Sequence, residues 1–180
     1  MSKFEIAISA VFFGFVLSQV VDLLKYKWQI FRKKIAISEE IEGLSIELDE
    51  RLSRIESILE SLNSNHLVGA LSPSVIPITI YEYHYAEVAP FFSAAERKAI
   101  SQLYSCVKNY NDDAIKTEFS DISAKKLSLL ELYYHSLMGK NCAEYFIKFG
   151  SKKLLSNDDE KLDMINKEVN LLASKYIQCS

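Results

Sequence analysis

Between Ile6 and Leu24 the chain reads IAISAVFFGFVLSQVVDLL, and a basic cluster of Lys25, Lys27, Arg32, Lys33 and Lys34 around Trp28 follows at once. As a helix, those 19 residues span about 28 Å at 1.5 Å per residue, close to the hydrocarbon thickness of a bilayer. Gln19 and Asp22 are costly at mid-membrane depth, but both fall in the last two turns, within reach of the interface. A basic collar with an interfacial Trp marks the cytoplasmic end of a spanning helix. Only Lys3, Glu5 and the amino terminus stand on the other flank. The charge asymmetry therefore predicts a single-pass anchor with its N-terminus outside and the rest of the chain in the cytoplasm, a bacterial inner membrane being the expected setting. The collar residues Lys25, Lys27, Arg32, Lys33 and Lys34 then meet anionic lipid headgroups, at about 1 kcal/mol per basic residue near the surface.

Three other uses of the segment compete with the anchor. In a cleaved signal peptide, Val16 and Ser18 would precede a cut at Gln19, but a lone Lys3 offset by Glu5 is a poor n-region and the collar opposes export. A buried core helix would need only the strongly apolar part, residues 6–17. A helix lying in the membrane plane needs a polar face, and residues 6–17 are apolar all round. Within the segment, Ala10, Gly14 and Ser18 recur every four residues, a small-residue face along which two spanning helices can approach closely.

Beyond the collar, a helical pattern runs without proline to Leu62, interrupted only by Gly43. Ile37, Ile41, Leu44, Leu48, Leu52, Ile55, Leu59 and Leu62 form one stripe at helical spacing, heptad-like with a four-residue insertion at Leu52. Glu39, Glu40, Glu42, Glu47, Asp49, Glu50, Glu56 and Glu60 crowd the other face against Arg51 and Arg54. Residues 25–62 are thus a collar and amphipathic stalk helix. Its stripe serves either a parallel coiled coil or packing on the C-terminal helices of the same chain.

Residues 63–77 read as a connector that opens on Asn63-Ser-Asn-His66 and contains Pro73 and Pro77. The run ITIYEYHYAEVAPFF over 78–92 begins with strand-like alternation, Tyr81, Tyr83 and Tyr85 on one side. Nothing else in the chain resembles a strand able to pair with it, so a short aromatic helix or an extended segment is expected. Its rings Tyr81, Tyr83, Tyr85, Phe91 and Phe92 either cover the core or present a protein-partner contact. Ser93-Ala-Ala-Glu96 matches a capping box and opens a helix to about Tyr110; Asn111-Asp-Asp113 closes that helix or starts the next. A helix from about 121 to 149 ends at Gly150, with Leu127, Leu130, Tyr133 or Tyr134 and Leu137 inward, and Gly139 kinks or divides it. The acidic start Ser156 to Glu160 leads into a last helix with a heptad stripe of Leu162, Ile165, Val169, Leu172 and Tyr176. The fold class expected is all-α: a transmembrane anchor over 1–24, the stalk, and a small helical bundle over 78–180.

No motif carries chemistry. Cys106, Cys142 and Cys179 are odd in number and widely spaced, without a C-x-x-C pair, as suits a reducing compartment. Glu131 and His135 sit four apart on a helix, but two groups do not make a metal site. His84 lies among tyrosines and His66 in the connector. There is no G-x-S-x-G, no P-loop and no G-x-G-x-x-G, and only five glycines in all. No catalytic residue, metal or cofactor is expected. Residues 61–180 hold 13 Lys or Arg against 14 Asp or Glu, so no basic footprint calls for nucleic acid. What remains is a non-enzymatic membrane-anchored bundle whose partners are membrane lipids and a second protein, another copy included. The alternative is a membrane-perturbing effector, of toxin or antiviral-defence type, that assembles through its spanning helix.

Overall fold

The computed structural model describes residues 3–64, 73–118, 122–150 and 152–177. Helix α1, Lys3–Asn63, is a single unbroken helix of 61 residues, about 90 Å long at 1.5 Å per residue. No proline interrupts it, and its serines bond back rather than cap: Ser38, Ser53, Ser57 and Ser61 each donate to the carbonyl four residues earlier. Helix α2, Thr79–Val88, is followed by a 3-10 turn at Ala89–Phe91. Helix α3 spans Ala94–Glu118, α4 spans Ile122–Phe149, and a 3-10 turn at Leu155–Asn157 precedes α5, Asp159–Ile177. The described residues contain no strand.

Side-chain pairs fix the directions. Lys140 pairs with Asp49, Tyr133 with Glu56 and Lys126 with Asn63, so α4 runs antiparallel to α1. Asp113 faces His135, making α3 antiparallel to α4 as well. Tyr133 with Glu168, and Lys126 with the Tyr176 carbonyl, orient α5 the same way. Helices α1, α3 and α5 thus run one way and α4 threads between them, packing on all three. Helix α2 runs back along α1, with Ile80 beside Glu40 and Glu87 beside Lys33.

The stripe of α1 goes into this bundle. Ile37, Ile41, Leu48, Ile55 and Leu59 are fully buried, with Leu44 and Leu52 nearly so, in one core with α3, α4 and α5. Because these residues face the chain's own helices, that side of α1 is already covered and offers no seam to a coiled-coil partner. The stalk of the sequence reading is a wall of the bundle from Ile30 onward. Burial of α1 begins there, and no residue with a described side chain before Ile30 is buried.

Local signals explain most boundaries. Ser93 accepts from the Glu96 amide through its hydroxyl at 3.2 Å, and the Glu96 carboxylate accepts from the Ser93 amide at 2.7 Å, a complete capping box. Gly150 takes φ +57 and its amide returns to the Phe146 carbonyl at 2.8 Å, ending α4. Three expectations need correction. Helix α3 does not stop at Asn111-Asp-Asp113 but runs to Glu118. Asn111 instead turns its amide onto the connector, accepting from the Ile76 N–H at 2.7 Å and donating to the Ile76 carbonyl at 2.8 Å. Gly139 does not divide α4; a Cβ there would come within 3.1 Å of Leu48 Cδ1, so the glycine marks close approach of α4 to α1. Leu127 is 55% exposed, whereas Leu129 and Leu132 are fully buried, because a helix enclosed by three neighbours does not keep one apolar face.

Candidate membrane-facing site and internal cavities

The largest exposed apolar surface is the first third of α1. Phe4, Val11, Phe12, Phe13, Phe15 and Leu17 are each more than 60% exposed, and none of an 18-residue apolar window in this helix is buried. The described residues hold one helix long and apolar enough to cross a membrane. Ala10, Gly14 and Ser18 lie on it, all exposed, and nothing stands within 4 Å of a Cβ added at Gly14.

The collar divides into two groups. Lys25, Lys27 and Arg32 are exposed. Lys33 and Lys34 are half-buried and turn onto the α2 hairpin: Lys33 pairs with Glu87, while Lys34 donates to the Phe91 carbonyl at 2.9 Å and lies 4.3 Å over the Phe92 ring. Those two cations tie the α2 hairpin to α1.

The five aromatic candidates also divide. Strand alternation would put Tyr81, Tyr83 and Tyr85 on one side, but the segment is helical, so positions 81 and 85 share a face and 83 points away. Tyr81 stacks on Tyr104 at 3.7 Å and on Tyr85 at 4.6 Å, and Phe92 is buried. Tyr83 is 77% exposed and Phe91 47%. Phe91, in the 3-10 turn, meets Tyr26 of α1 edge-on at 6.3 Å. Trp28 and Phe31 lie exposed on the same stretch of α1.

What holds α2 in place escaped the sequence reading. Its N-cap, Ile78, has no capping side chain. The carboxylate of Glu40 on α1 accepts from the Ile80 and Tyr81 amides, each at 2.9 Å, and from the Tyr104 hydroxyl at 2.5 Å. Glu40 is thus an N-cap supplied from another helix. Burial, together with the bond to Glu40, keeps the Tyr104 phenol protonated far above its ordinary range.

Clefts open to solvent lie between the helices of the bundle. One of about 520 Å³ between α3, α4 and α5 is lined by Cys106, Tyr134, Met138, Cys142, Leu155 and Asn166, among others. Both thiols are free; a hydrogen bond between them, together with burial, pushes Cys142 up, while the same hydrogen bond lowers Cys106. Another, of about 380 Å³ between α1, α4 and α5, sets Asp49, Glu56, Glu144 and Glu168 around Lys140 and Lys161. Its carboxylates are engaged: Glu56 and Glu168 both face the Tyr133 hydroxyl, and Asp49 holds Lys140. Among the described residues no group of three or more His, Cys, Asp or Glu is placed to hold a metal. His135 turns its Nε2 to Asp113 at 3.4 Å and burial lowers its pKa, while Glu131, one turn earlier on α4, is exposed. His84 is half-buried on α2, and His66 and Cys179 lie outside the described residues.

Compared with known proteins, the chain matches no family model, no curated protein and no solved structure.

Proposed function

We propose that this chain is a non-enzymatic, single-pass membrane protein whose helical bundle sits in the cytoplasm and binds a protein partner or a second copy. The observation that carries the reading is the division of α1. Its apolar third is wholly exposed, while from Ile30 onward the same unbroken helix is a wall of the core. An exposed apolar surface of that length is untenable in water, and in a bilayer every backbone group of a helix stays satisfied. The exposed cations Lys25, Lys27 and Arg32 support a cytoplasmic bundle by the positive-inside rule. Tyr83 is the outward-facing ring left for a protein contact. The test is alkaline extraction of membranes combined with an impermeant maleimide. Retention of the full-length chain, with thiol labelling only after lysis, is the expected result. Release of the intact chain by alkali would overturn the anchor.

A second reading, a membrane-perturbing effector assembling through α1, draws on the open face of Ala10, Gly14 and Ser18. It predicts membrane depolarisation on expression that Gly14→Leu abolishes; an unchanged potential at high expression removes it.

A further inference from the structure

We infer that the hairpin tip between α2 and α3, Pro90 and Phe91, is a second membrane contact that enters the interfacial layer beside Tyr26 and seats the bundle on the bilayer. This rests on the anchoring of α1 proposed above. Tyr26 lies two residues past Leu24, about 3 Å along the axis, within the roughly 5–8 Å layer of headgroups that flanks the hydrocarbon. Phe91 packs edge-on against Tyr26 at 6.3 Å, so it stands at the same height. Helix α2 runs toward the membrane and α3 away from it, so the turn between them is the lowest point of that hairpin.

The side chains there suit an interface. Phe91 is 47% exposed although it touches α1, and Pro90 is exposed beside it. Tyr26 and Phe91 make one aromatic pair, and Trp28 with Phe31 makes another on a different face of α1, both at the level of the exposed cations Lys25, Lys27 and Arg32. Rings with neighbouring cations are what the headgroup layer of an anionic leaflet accommodates. The tip is also held firmly: Lys34 and Arg97 both donate to backbone carbonyls around it, Lys34 to Phe91 at 2.9 Å and Arg97 to Phe92 at 2.6 Å.

The other end of the bundle that faces the membrane does not reach it. Lys140 pairs with Asp49 and α4 runs antiparallel to α1, so Phe149 is level with residue 40, about 20 Å beyond Tyr26. Contact at one tip and not the other fixes which side of the bundle is turned to the lipid.

The chain has a single tryptophan, Trp28, so depth can be read from one indole at a time. The full-length protein is placed in vesicles of phosphatidylcholine and phosphatidylglycerol, the phosphatidylcholine brominated near the top of its acyl chain. Trp28 in the unsubstituted chain reports the anchor, and the double variant Trp28→Phe/Phe91→Trp reports the tip. Quenching of the second indole to within about twofold of the first is expected, with blue-shifted emission. Trp28→Phe/Tyr83→Trp, eight residues back along the hairpin, should stay unquenched. If Trp28 is quenched and the indole at position 91 is not, the anchor stands and the second contact falls. If neither is quenched, the anchoring reading fails and takes this one with it. Photolabelling of the unsubstituted protein by an acyl-chain diazirine lipid needs no substitution at all: label on residues 89–92 supports the contact, and label confined to α1 overturns it.

Discussion

Glu40 shows how one side chain can join three elements. Its carboxylate accepts two α2 amides and the Tyr104 hydroxyl, so α1, α2 and α3 meet at a single acceptor. Glu40→Gln replaces one acceptor oxygen by a donor and sets it against N–H groups, and a loss of about 2 kcal/mol is expected. Tyr104→Phe leaves both amides satisfied and should cost about 1 kcal/mol. Thermal melts in detergent followed by circular dichroism rank the two, and equal losses would show that the cap is not the main role of Glu40. Asp158 gives a pH signature. Bonds from Lys153, Tyr145 and the Lys161 amide hold it at about 2, below its ordinary 3.8. A group lowered on folding stabilises the fold fully above its unfolded value and loses that contribution as pH falls toward the folded one. Stability should therefore drop between about pH 4 and pH 2, and Asp158→Asn should flatten that part of an acid titration. An unaltered profile in the variant would assign the acid transition to other carboxylates.

Helices are where the sequence was most and least legible. The stripe of α1, the Ser93 box, the stop at Gly150 and the start of α5 were all readable, because each depends on residues within one or two turns. The inward role of Glu40 was not: it sits among seven other carboxylates on the stalk, and only the arrival of α2 from 40 residues away turns it from a surface acid into a cap. Helix α2 itself was ambiguous, since ten residues with alternating tyrosines fit either period. Burial of α4 against three partners erased the one-sided pattern from which its core could have been chosen. Close packing of α4 on α1 makes its own prediction. Gly139→Ala needs Leu48 to shift a few tenths of an ångström, offset by about 1 kcal/mol of helix propensity, so it should leave stability within about 1 kcal/mol. Gly139→Val overfills the contact and should cost about 1–3 kcal/mol. Leu48→Ala should cost about 2–5 kcal/mol without altering the oligomeric state; dissociation of an oligomer at unchanged fold would revive the coiled coil. Sedimentation alongside the melts separates the outcomes.

For the molecule as a whole, the apolar third of α1 and the bundle share a helix but, among the described residues, no core. No residue with a described side chain before Ile30 contributes to the core. Deleting residues 2–24 should therefore give a soluble chain with the near-ultraviolet circular dichroism of the full-length bundle, and an aggregated or molten product would mean that the apolar third has a partner within the fold.

The unbroken path of α1 also has a mechanical consequence. Between the apolar third and the core there is no proline and no glycine; Gly43, the next glycine along, is already flanked by the buried Ile41 and Leu44. A helix without such breaks bends only gently and resists twisting, so the junction has no hinge. With the apolar third in a bilayer, as proposed above, rotation of that segment about its axis turns the bundle through the same angle, and a load on the bundle is felt as torque within the bilayer. In that proposed anchored form the chain is a shaft, with the bundle as a rotor fixed to one end and the lipid as its bearing.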